Sequence, residues 1–438
     1  MVSRDILTNR PMNRRSFLTR SAIATGTLTG AGSLLAACGS TGSTGTGGSS
    51  SVTLKHLTWS RAYDAAAQDA VYHAFHAAHP NVTVAFENLP QDYETILKAR
   101  FTSNDGPDIF GLNAPRADIQ AMIDAGNLLE LSDQPWVNDM YDSAKVGATY
   151  NGKIYGVTYL QYTWSVMYNT KVFADHNITP PTTYDEFLSI CEKLKKAGIA
   201  PLALGLKDTW LSSYIPFSMA ATAIYRENPQ FDADLLAGRT TFAQSEWPKI
   251  LNDYLDLQKR GYFQPSQLGT TYNQGLQLLV AGQAAMVLNG SWFIPDTRTV
   301  SPNLGLALFA LPYKPGDTYL PVQPGEPWSI YNKTKHPTEA KQYLEYWANQ
   351  AGAGAYLSMR GLLSALKSVT SKTDPALDNA LPYIKSGKTI STVNMGGTWP
   401  TQVGAALTDG IQGLFANTTT VDQVIKNLDA AVQANKKS

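Results

Sequence analysis

The sequence predicts an α/β fold with largely parallel sheets, because strand-like and helical segments alternate along it and because each has the hydrophobic spacing of its type. The alternation runs through residues 52–59 (strand), 64–78 (helix), 82–86 (strand), 93–101 (helix) and 108–111 (strand). Strands and helices in this order form βαβ units with parallel strands. Ligands of such sheets bind beyond the carboxyl ends of the strands, so we expect a binding site there.

A second α/β set is predicted to begin near residue 165, which fits a chain of 438 residues that is too long for one ordinary domain. The extended run at residues 154–168 is longer than a typical strand and could cross between domains. Thr183 and Glu186 have the spacing of a capping box at the start of the next helix. Two discontinuous domains are therefore expected.

Trp292 follows an apolar run at residues 284–288 and a predicted turn that contains Asn289. The apolar run is typical of a buried strand. A turn that leaves such a strand can hold an aromatic face and polar groups over a cleft. The alternative is that Trp292 packs in a core, and the local spacing does not decide between the two.

The composition excludes some classes of protein. With 43% hydrophobic and 16% charged residues, the chain can bury a sizeable core. The first 38 residues hold five Arg and one acid, which leaves 30 basic and 34 acidic residues and a formal charge of about −4 beyond them. This charge argues against a nucleic-acid-binding protein, which needs a basic face.

The N-terminal 37 residues are typical of an export signal. Paired Arg14 and Arg15 precede a moderately apolar stretch, as in twin-arginine signals. The stretch ends in Leu-Ala-Ala-Cys at residues 35–38, which resembles the lipobox of bacterial lipoproteins, whose Cys is acylated after cleavage. The alternative is an ordinary secretory signal with an incidental Cys38. Residues 38–51 are rich in Gly, Ser and Thr and are expected to form a flexible, lipid-anchored tether.

Two cysteines occur in the sequence, and we expect no disulfide between them. Acylation of Cys38 would leave Cys191 without a partner. Cys191 lies on the apolar face of a predicted helix and is expected to be a small core residue.

Six short stretches, in this order behind the lipoprotein-like signal, resemble the extracellular solute-binding proteins of bacterial ABC importers. They are residues 105–109 (Asp-Gly-Pro-Asp-Ile), 150–153 (Tyr-Asn-Gly-Lys), 167–169 (Met-Tyr-Asn), 282–292, 364–368 (Ser-Ala-Leu-Lys-Ser) and 395–399 (Met-Gly-Gly-Thr-Trp). The resemblance is to the carbohydrate-binding family that includes maltose-binding protein, and it spans nearly all of the chain beyond the tether.

The resemblance implies a two-lobed periplasmic-binding-protein fold of the Venus-flytrap type, with each lobe a mostly parallel sheet flanked by helices. Lobe 1 would comprise residues 52–161 and 329–366, and lobe 2 residues 165–325 and 370–438, joined by a hinge. It also implies a monomer outside the cytoplasmic membrane that binds a mono- or oligosaccharide and delivers it to a membrane permease. No cofactor, metal or enzymatic activity is implied.

The resemblance also implies which residues bind the sugar, whose apolar face stacks on aromatic rings while its hydroxyls need hydrogen bonds. Trp292 and Trp399 match stacking residues of the family. Trp210 follows an acid, Asp208, at a place where the family also has an aromatic residue after an acid. Tyr162 replaces a sugar-binding Glu of the hinge strand. Further candidates, by position, are Trp59, Arg61, Tyr63, Asn113, Asn289, Glu326 and Trp328. For each aromatic residue the alternative is core packing.

Two other classes of protein remain as alternatives. A secreted carbohydrate-active hydrolase would need two carboxylates across a sugar cleft, and the available acids are Glu87, Glu94, Asp208 and Glu326. A metal-binding component of an importer would use the histidines at positions 73, 76 and 79. On a helix the first and third of these point about 120° apart, so a solvent-facing stripe is the favoured interpretation.

Overall fold

The computed structural model of the protein describes residues 51–58, 62–89, 92–112 and 116–435, with the backbone alone for residues 62–64 and 117. The predicted signal and tether, including Cys38, lie outside this part. So do Trp59, Arg61 and Asn113, together with the side chain of Tyr63.

Strands and helices alternate as predicted. The strands are β1 (Val52–Thr58), β2 (Val82–Asn88), β3 (Ile109–Gly111), β4 (Thr149–Tyr150), β5 (Lys153–Ile154), β6 (Leu160–Asn169), β7 (Ala200–Ala203), β8 (Ala284–Gly290), β9 (Leu306–Phe309), β10 (Leu320–Pro324), β11 (Trp328–Ile330), β12 (Leu363–Ser364) and β13 (Thr389–Ser391). The helices are α1 (Ala62–Ala78), α2 (Tyr93–Thr102), α3 (Arg116–Asp124), α4 (Asp142–Lys145), α5 (Thr170–Asp175), α6 (Tyr184–Lys196), α7 (Tyr214–Ala220), α8 (Phe231–Ala237), α9 (Trp247–Lys259), α10 (Tyr272–Val280), α11 (Phe293–Val300), α12 (Pro337–Trp347), α13 (Ala355–Arg360), α14 (Leu381–Ser386), α15 (Thr401–Phe415) and α16 (Val421–Asn435).

The first lobe is built on a sheet with the strand order β11-β3-β1-β2. β1 runs parallel to β2 and β3, whereas β11 is antiparallel to β3 and pairs Trp328 with Gly111. Helix α12 buries Tyr343 and Trp347 against this sheet, and Phe75 of α1 is fully buried beside them. The mostly parallel sheet that the sequence predicts is therefore present in this lobe.

The second lobe contains a mixed sheet with the order β13-β10-β6-β8-β7, and β9 and β12 also pair with β6. β6 is antiparallel to β8, β9, β10 and β12, so the prediction of a mostly parallel sheet is wrong here. Parallel pairing joins β7 to β8 and β10 to β13. β6 enters this sheet from the first lobe, and its direction is opposite to that of the four strands with which it pairs. The fold is thus α/β and two-lobed, with one mostly parallel and one mixed sheet.

Strand and helix ends differ from the sequence pattern at two places. The extended run at residues 154–168 is interrupted between β5 and β6, where Val157 forms an isolated bridge to Trp328. β8 continues through Asn289 and Gly290, which were predicted as a turn. The predicted capping box is confirmed, since the Thr183 hydroxyl accepts from the Glu186 backbone and the Glu186 carboxylate accepts from the Thr183 backbone.

The position of Cys191 agrees with its prediction as a core residue. Cys191 is fully buried in α6, as a core residue should be. The lobe boundaries given above remain predictions; β12 pairs with Leu160 and Gln161 at the start of β6. Within the described part of the chain no helix is both long and apolar enough to cross a membrane.

Candidate ligand-binding cleft

A cleft with a volume of about 820 Å³ lies where strand ends and loops of both lobes meet. Leu112, directly after β3, lines it from the first lobe, and Trp292, two residues after the end of β8, lines it from the second. Glu326 lies between β10 and β11, at a passage of the chain between the two sheets. The expectation that ligand-facing groups follow carboxyl ends of strands agrees with this geometry.

Trp292 lies over the end of β8 because Gly290 has no side chain. A Cβ atom built on Gly290 would come within 2.1–2.3 Å of three ring atoms of Trp292, so any larger residue would displace the ring. Ser291 fixes the same turn to β6. Its backbone N–H donates to the Thr163 carbonyl at 2.9 Å, and its hydroxyl accepts from the Thr163 N–H at 3.1 Å. The ring position is thus determined by the backbone around it.

An aromatic cluster on the second-lobe side of the cleft is formed by Tyr162, Trp210, Tyr214 and Trp292, all of which line it. The ring of Tyr162 meets Trp292 edge-on at 5.1 Å, and Tyr214 lies 6.0 Å from Trp292. Trp210 is 42% exposed, the largest exposure of any aromatic side chain in the cluster. Exposed aromatic rings of this kind offer apolar faces to a ligand.

Trp399 also lines the cleft, but most of its ring is buried against Phe217, Phe242 and Trp247. Its indole N–H donates to the carboxylate of Asp232 at 2.9 Å. The same carboxylate accepts from the Gly396 backbone at 2.7 Å. Burial raises the pKa of Asp232, and these hydrogen bonds partly counteract the rise. Asp232 thus holds the segment that carries Trp399 on the wall of the cleft.

The first-lobe side of the cleft is polar. Gln68 of α1, Arg116 at the start of α3 and Tyr150 of β4 all line it. The Arg116 guanidinium lies 4.2 Å from the centre of the Tyr150 ring and donates to the carbonyls of Val146 and Thr149. Burial raises the pKa of Tyr150 to about 12, while the nearby Arg116 acts in the opposite direction, so this hydroxyl stays protonated at neutral pH.

Charged groups at the junction of the lobes complete the lining. Glu326 and Arg360 both line the cleft, and both are engaged in interactions with other groups. Gln323 of β10 accepts a hydrogen bond from the indole N–H of Trp164 at 2.9 Å. The cleft therefore combines aromatic faces on one side with hydrogen-bonding groups on the other.

Three predicted site residues lie away from the cleft. Trp328 is fully buried in β11 between His56 and Trp347, so the core alternative is correct for it. Asn289 is 2% exposed, since β8 extends through it and places its side chain inside the lobe. Asp208 accepts from the Tyr272 backbone at 2.6 Å and holds the start of α10 rather than lining the cleft.

Gln68, Arg116, Tyr214 and Arg360 line the cleft and were missed by sequence reasoning. Arg116 could have been found, because it follows the same strand end as Asn113. Gln68 and Arg360 lie within helices where no local pattern marks them, and only the packing of α1 and α13 brings them to the cleft.

Comparison with known proteins identifies the family. Residues 70–382, most of the chain, match the family described as bacterial extracellular solute-binding protein, which is a family of solute-binding proteins and not of hydrolases. The multiple sugar-binding protein of Streptococcus mutans is 25% identical over 328 residues, or 73% of this chain and 76% of that protein. The melibiose/raffinose/stachyose-binding protein MelE of Bacillus subtilis is 23% identical over 72% of this chain and 74% of its own.

Solved structures show the same fold. The solute-binding protein RafE in complex with raffinose superposes with a TM-score of 0.73 at 21% identity, over 88% of this chain and 99% of RafE. At this level of identity the likeness concerns the fold alone. With the family match over residues 70–382, the conclusion is that this chain belongs to the bacterial extracellular solute-binding proteins.

Proposed function

We propose that the protein captures a mono- or oligosaccharide in the cleft outside the cell and delivers it to the permease of an ABC importer. The observation that carries the proposal is the pairing of the aromatic cluster around Trp292 with polar groups across the cleft. A pyranose ring has an apolar face for such a cluster and hydroxyls for such groups. The names of two relatives, which describe sugar-binding proteins, support the same class of ligand.

Capture requires that the ligand contact both lobes. Trp292 and Trp399 belong to the second lobe, whereas Gln68 and Arg116 belong to the first. A ligand favours a closed arrangement only by binding it better than an open one, and groups on both lobes provide that difference. Rotation would be absorbed by the few residues where the chain passes between the lobes, around Gln161 and Gly325. The bound saccharide would leave unmodified.

A thermal-shift screen over neutral and acidic mono- and oligosaccharides tests the ligand class. A saccharide present at 100 times its Kd should stabilise the folded chain by about 2.7 kcal/mol, which corresponds to a rise in Tm of roughly 3 °C for a chain of this size. Peptides and polyamines serve as controls. A shift with either of these and none with any saccharide would contradict the proposal. Release of reducing sugar from a bound oligosaccharide would instead favour a hydrolase.

We further propose that the protein is exported and is anchored to the outer face of the cytoplasmic membrane through Cys38. The twin arginines, the lipobox and the Gly/Ser/Thr-rich tether support this localisation. In a bacterial expression host, Cys38→Ser should move the protein from the membrane fraction to the soluble exported fraction and abolish incorporation of labelled fatty acid. Cys191→Ser is the matched control, because that thiol is buried in α6. Fatty-acid labelling that persists in the Cys38→Ser variant would contradict the anchoring proposal.

A further inference from the structure

The first-lobe side of the cleft offers hydrogen-bond donors in excess of what the protein itself uses. Gln68 is 1% exposed, and its carboxamide oxygen accepts from the Tyr72 hydroxyl at 3.3 Å. Its amide nitrogen has no hydrogen-bond partner among the residues that the structure describes, and the side chain lines the cleft. An amide N–H at the lining of the cleft is a donor that a ligand acceptor can use.

Arg116 adds a cation to the same wall. Its guanidinium donates to the carbonyls of Val146 and Thr149 and rests on the ring of Tyr150, which fixes its plane. Nowhere in residues 62–89, 92–112 or 116–435 does a carboxylate form an ion pair with it. A guanidinium has five N–H donors and stays protonated in proteins. Donors and a full positive charge therefore remain for a ligand.

The charge of the described part of the lining points the same way. Of the lining residues that the structure describes, Arg116 and Arg360 are cations and Glu326 is the anion. A neutral sugar presents hydroxyls, each with one donor and two acceptor sites, so it can use N–H donors but has no charge to balance a cation. A carboxylate is an acceptor only and forms its strongest hydrogen bonds with guanidinium groups.

We propose that the saccharide carries a carboxylate, as in a uronic acid, and that Arg116 binds this group with Gln68 as an additional donor. The inference rests on the proposed function, because it specifies the ligand of the same cleft. The sugar ring would stack on the aromatic cluster of the second lobe, with its carboxylate directed to the first. Arg116 and Gln68 are then the residues that determine specificity for acidic over neutral saccharides.

The test compares acidic saccharides with their own methyl esters by titration calorimetry on the purified full-length chain. The probes are trigalacturonate, glucuronosyl-xylotriose and a chondroitin disaccharide, each paired with its ester. Esterification removes the charge and keeps the ring faces. A hydrogen bond to a charged group corresponds to roughly 10- to 100-fold in affinity, so at least one acid should bind more tightly than its ester by that factor. Its affinity should also fall as NaCl is raised, while the ester is unaffected.

Single-residue variants test which side chains cause the preference for acid over ester. Arg116→Gln should lower the preference for acid over ester by roughly 10-fold or more, Gln68→Leu should lower it by less, and Arg116→Lys should retain part of it. Arg226→Gln is the matched control, because Arg226 also donates to two backbone carbonyls, of Pro315 and Asp317, but does not line the cleft. It should leave the preference unchanged.

The outcomes separate this inference from the proposed function. Equal or tighter binding of every ester, or an unchanged preference in a folded Arg116→Gln variant, would overturn the carboxylate assignment while leaving saccharide capture in place. If the Arg116→Gln variant does not fold, the carboxylate assignment is decided by the acid-over-ester preference of Gln68→Leu and by the salt dependence of the wild-type affinity. If neither acids nor esters nor neutral oligosaccharides bind, the proposed function itself fails.

Discussion

Trp292→Ala is expected to weaken saccharide binding by roughly 30- to 1000-fold, the range of a central aromatic contact worth about 2–4 kcal/mol. Trp292 lines the cleft and is in contact with Tyr162, and its ring has one face on Gly290. Alanine would remove the largest flat apolar surface from the aromatic cluster. Calorimetric titration with a saccharide that the wild-type chain binds would measure the loss. The fold should survive, because the ring is only partly buried.

Gly290→Ala provides a second route to the same contact. The added methyl group would occupy the space of the Trp292 ring and displace it, so affinity should fall although every aromatic residue is retained. Gly269→Ala is the matched control, since a Cβ there would meet nothing within 4 Å. If Trp292→Ala unfolds the chain, or if folded Trp292→Ala and Gly290→Ala both bind normally, Trp292 is a packing residue and not a ligand contact.

His56 is expected to make the protein lose stability in acid. Its imidazole is fully buried in β1, where the ring of Trp328 lies 4.3 Å away and the Tyr343 hydroxyl is 3.3 Å from Nδ1. Burial lowers the pKa of His56 from 6.5 to about 3. Between these values the unfolded chain binds a proton that the folded chain does not. The free energy of unfolding therefore falls as the pH drops below 6.5, by about 1.4 kcal/mol per pH unit, and the loss levels off near pH 3.

Urea denaturation at several pH values measures this loss. At pH 5 the contribution of His56 should be about 2 kcal/mol relative to neutral pH, and His56→Gln should lack it because Gln does not titrate. The variant will be less stable at neutral pH, so the slope against pH is the quantity to compare. His73→Gln, at an exposed position of α1, is the control. A slope in His56→Gln equal to that of the wild-type chain would contradict the assignment.

The local parts of the structure could be predicted from sequence because they depend on neighbouring residues. The capping box of Thr183 and Glu186 involves groups within three positions of each other, and it forms as expected. The apolar run that became β8 likewise gave the position of Trp292 at a strand end. In an α/β fold the ligand site lies beyond the ends of strands, so the pattern that located the end of this strand also located the ligand site.

The remaining site residues depend on contacts between distant segments. Trp328 has the local context of a strand end, yet it is buried because His56 and α12 pack on it from elsewhere in the chain. Gln68 and Arg360 line the cleft for a similar reason, since tertiary packing of their helices brings them there. The spacing of residues within a helix does not indicate which face of that helix will border a cleft between two lobes. A single sequence therefore identified the aromatic side of the cleft better than the polar side.

The pairing of β11 with β3 has a consequence for how the chain matures. Trp328 pairs with Gly111, so the edge strand of the first sheet is made long after the strand it joins, and the larger segment of the second lobe lies between them. During synthesis the first sheet is incomplete, because β3 is unpaired on one side until the ribosome has passed Ile330. Closing so long a loop is slow compared with forming local contacts. The core of the second lobe includes Trp399 and Val403, which are made after β11, so neither half of the cleft is expected to be complete until late in synthesis.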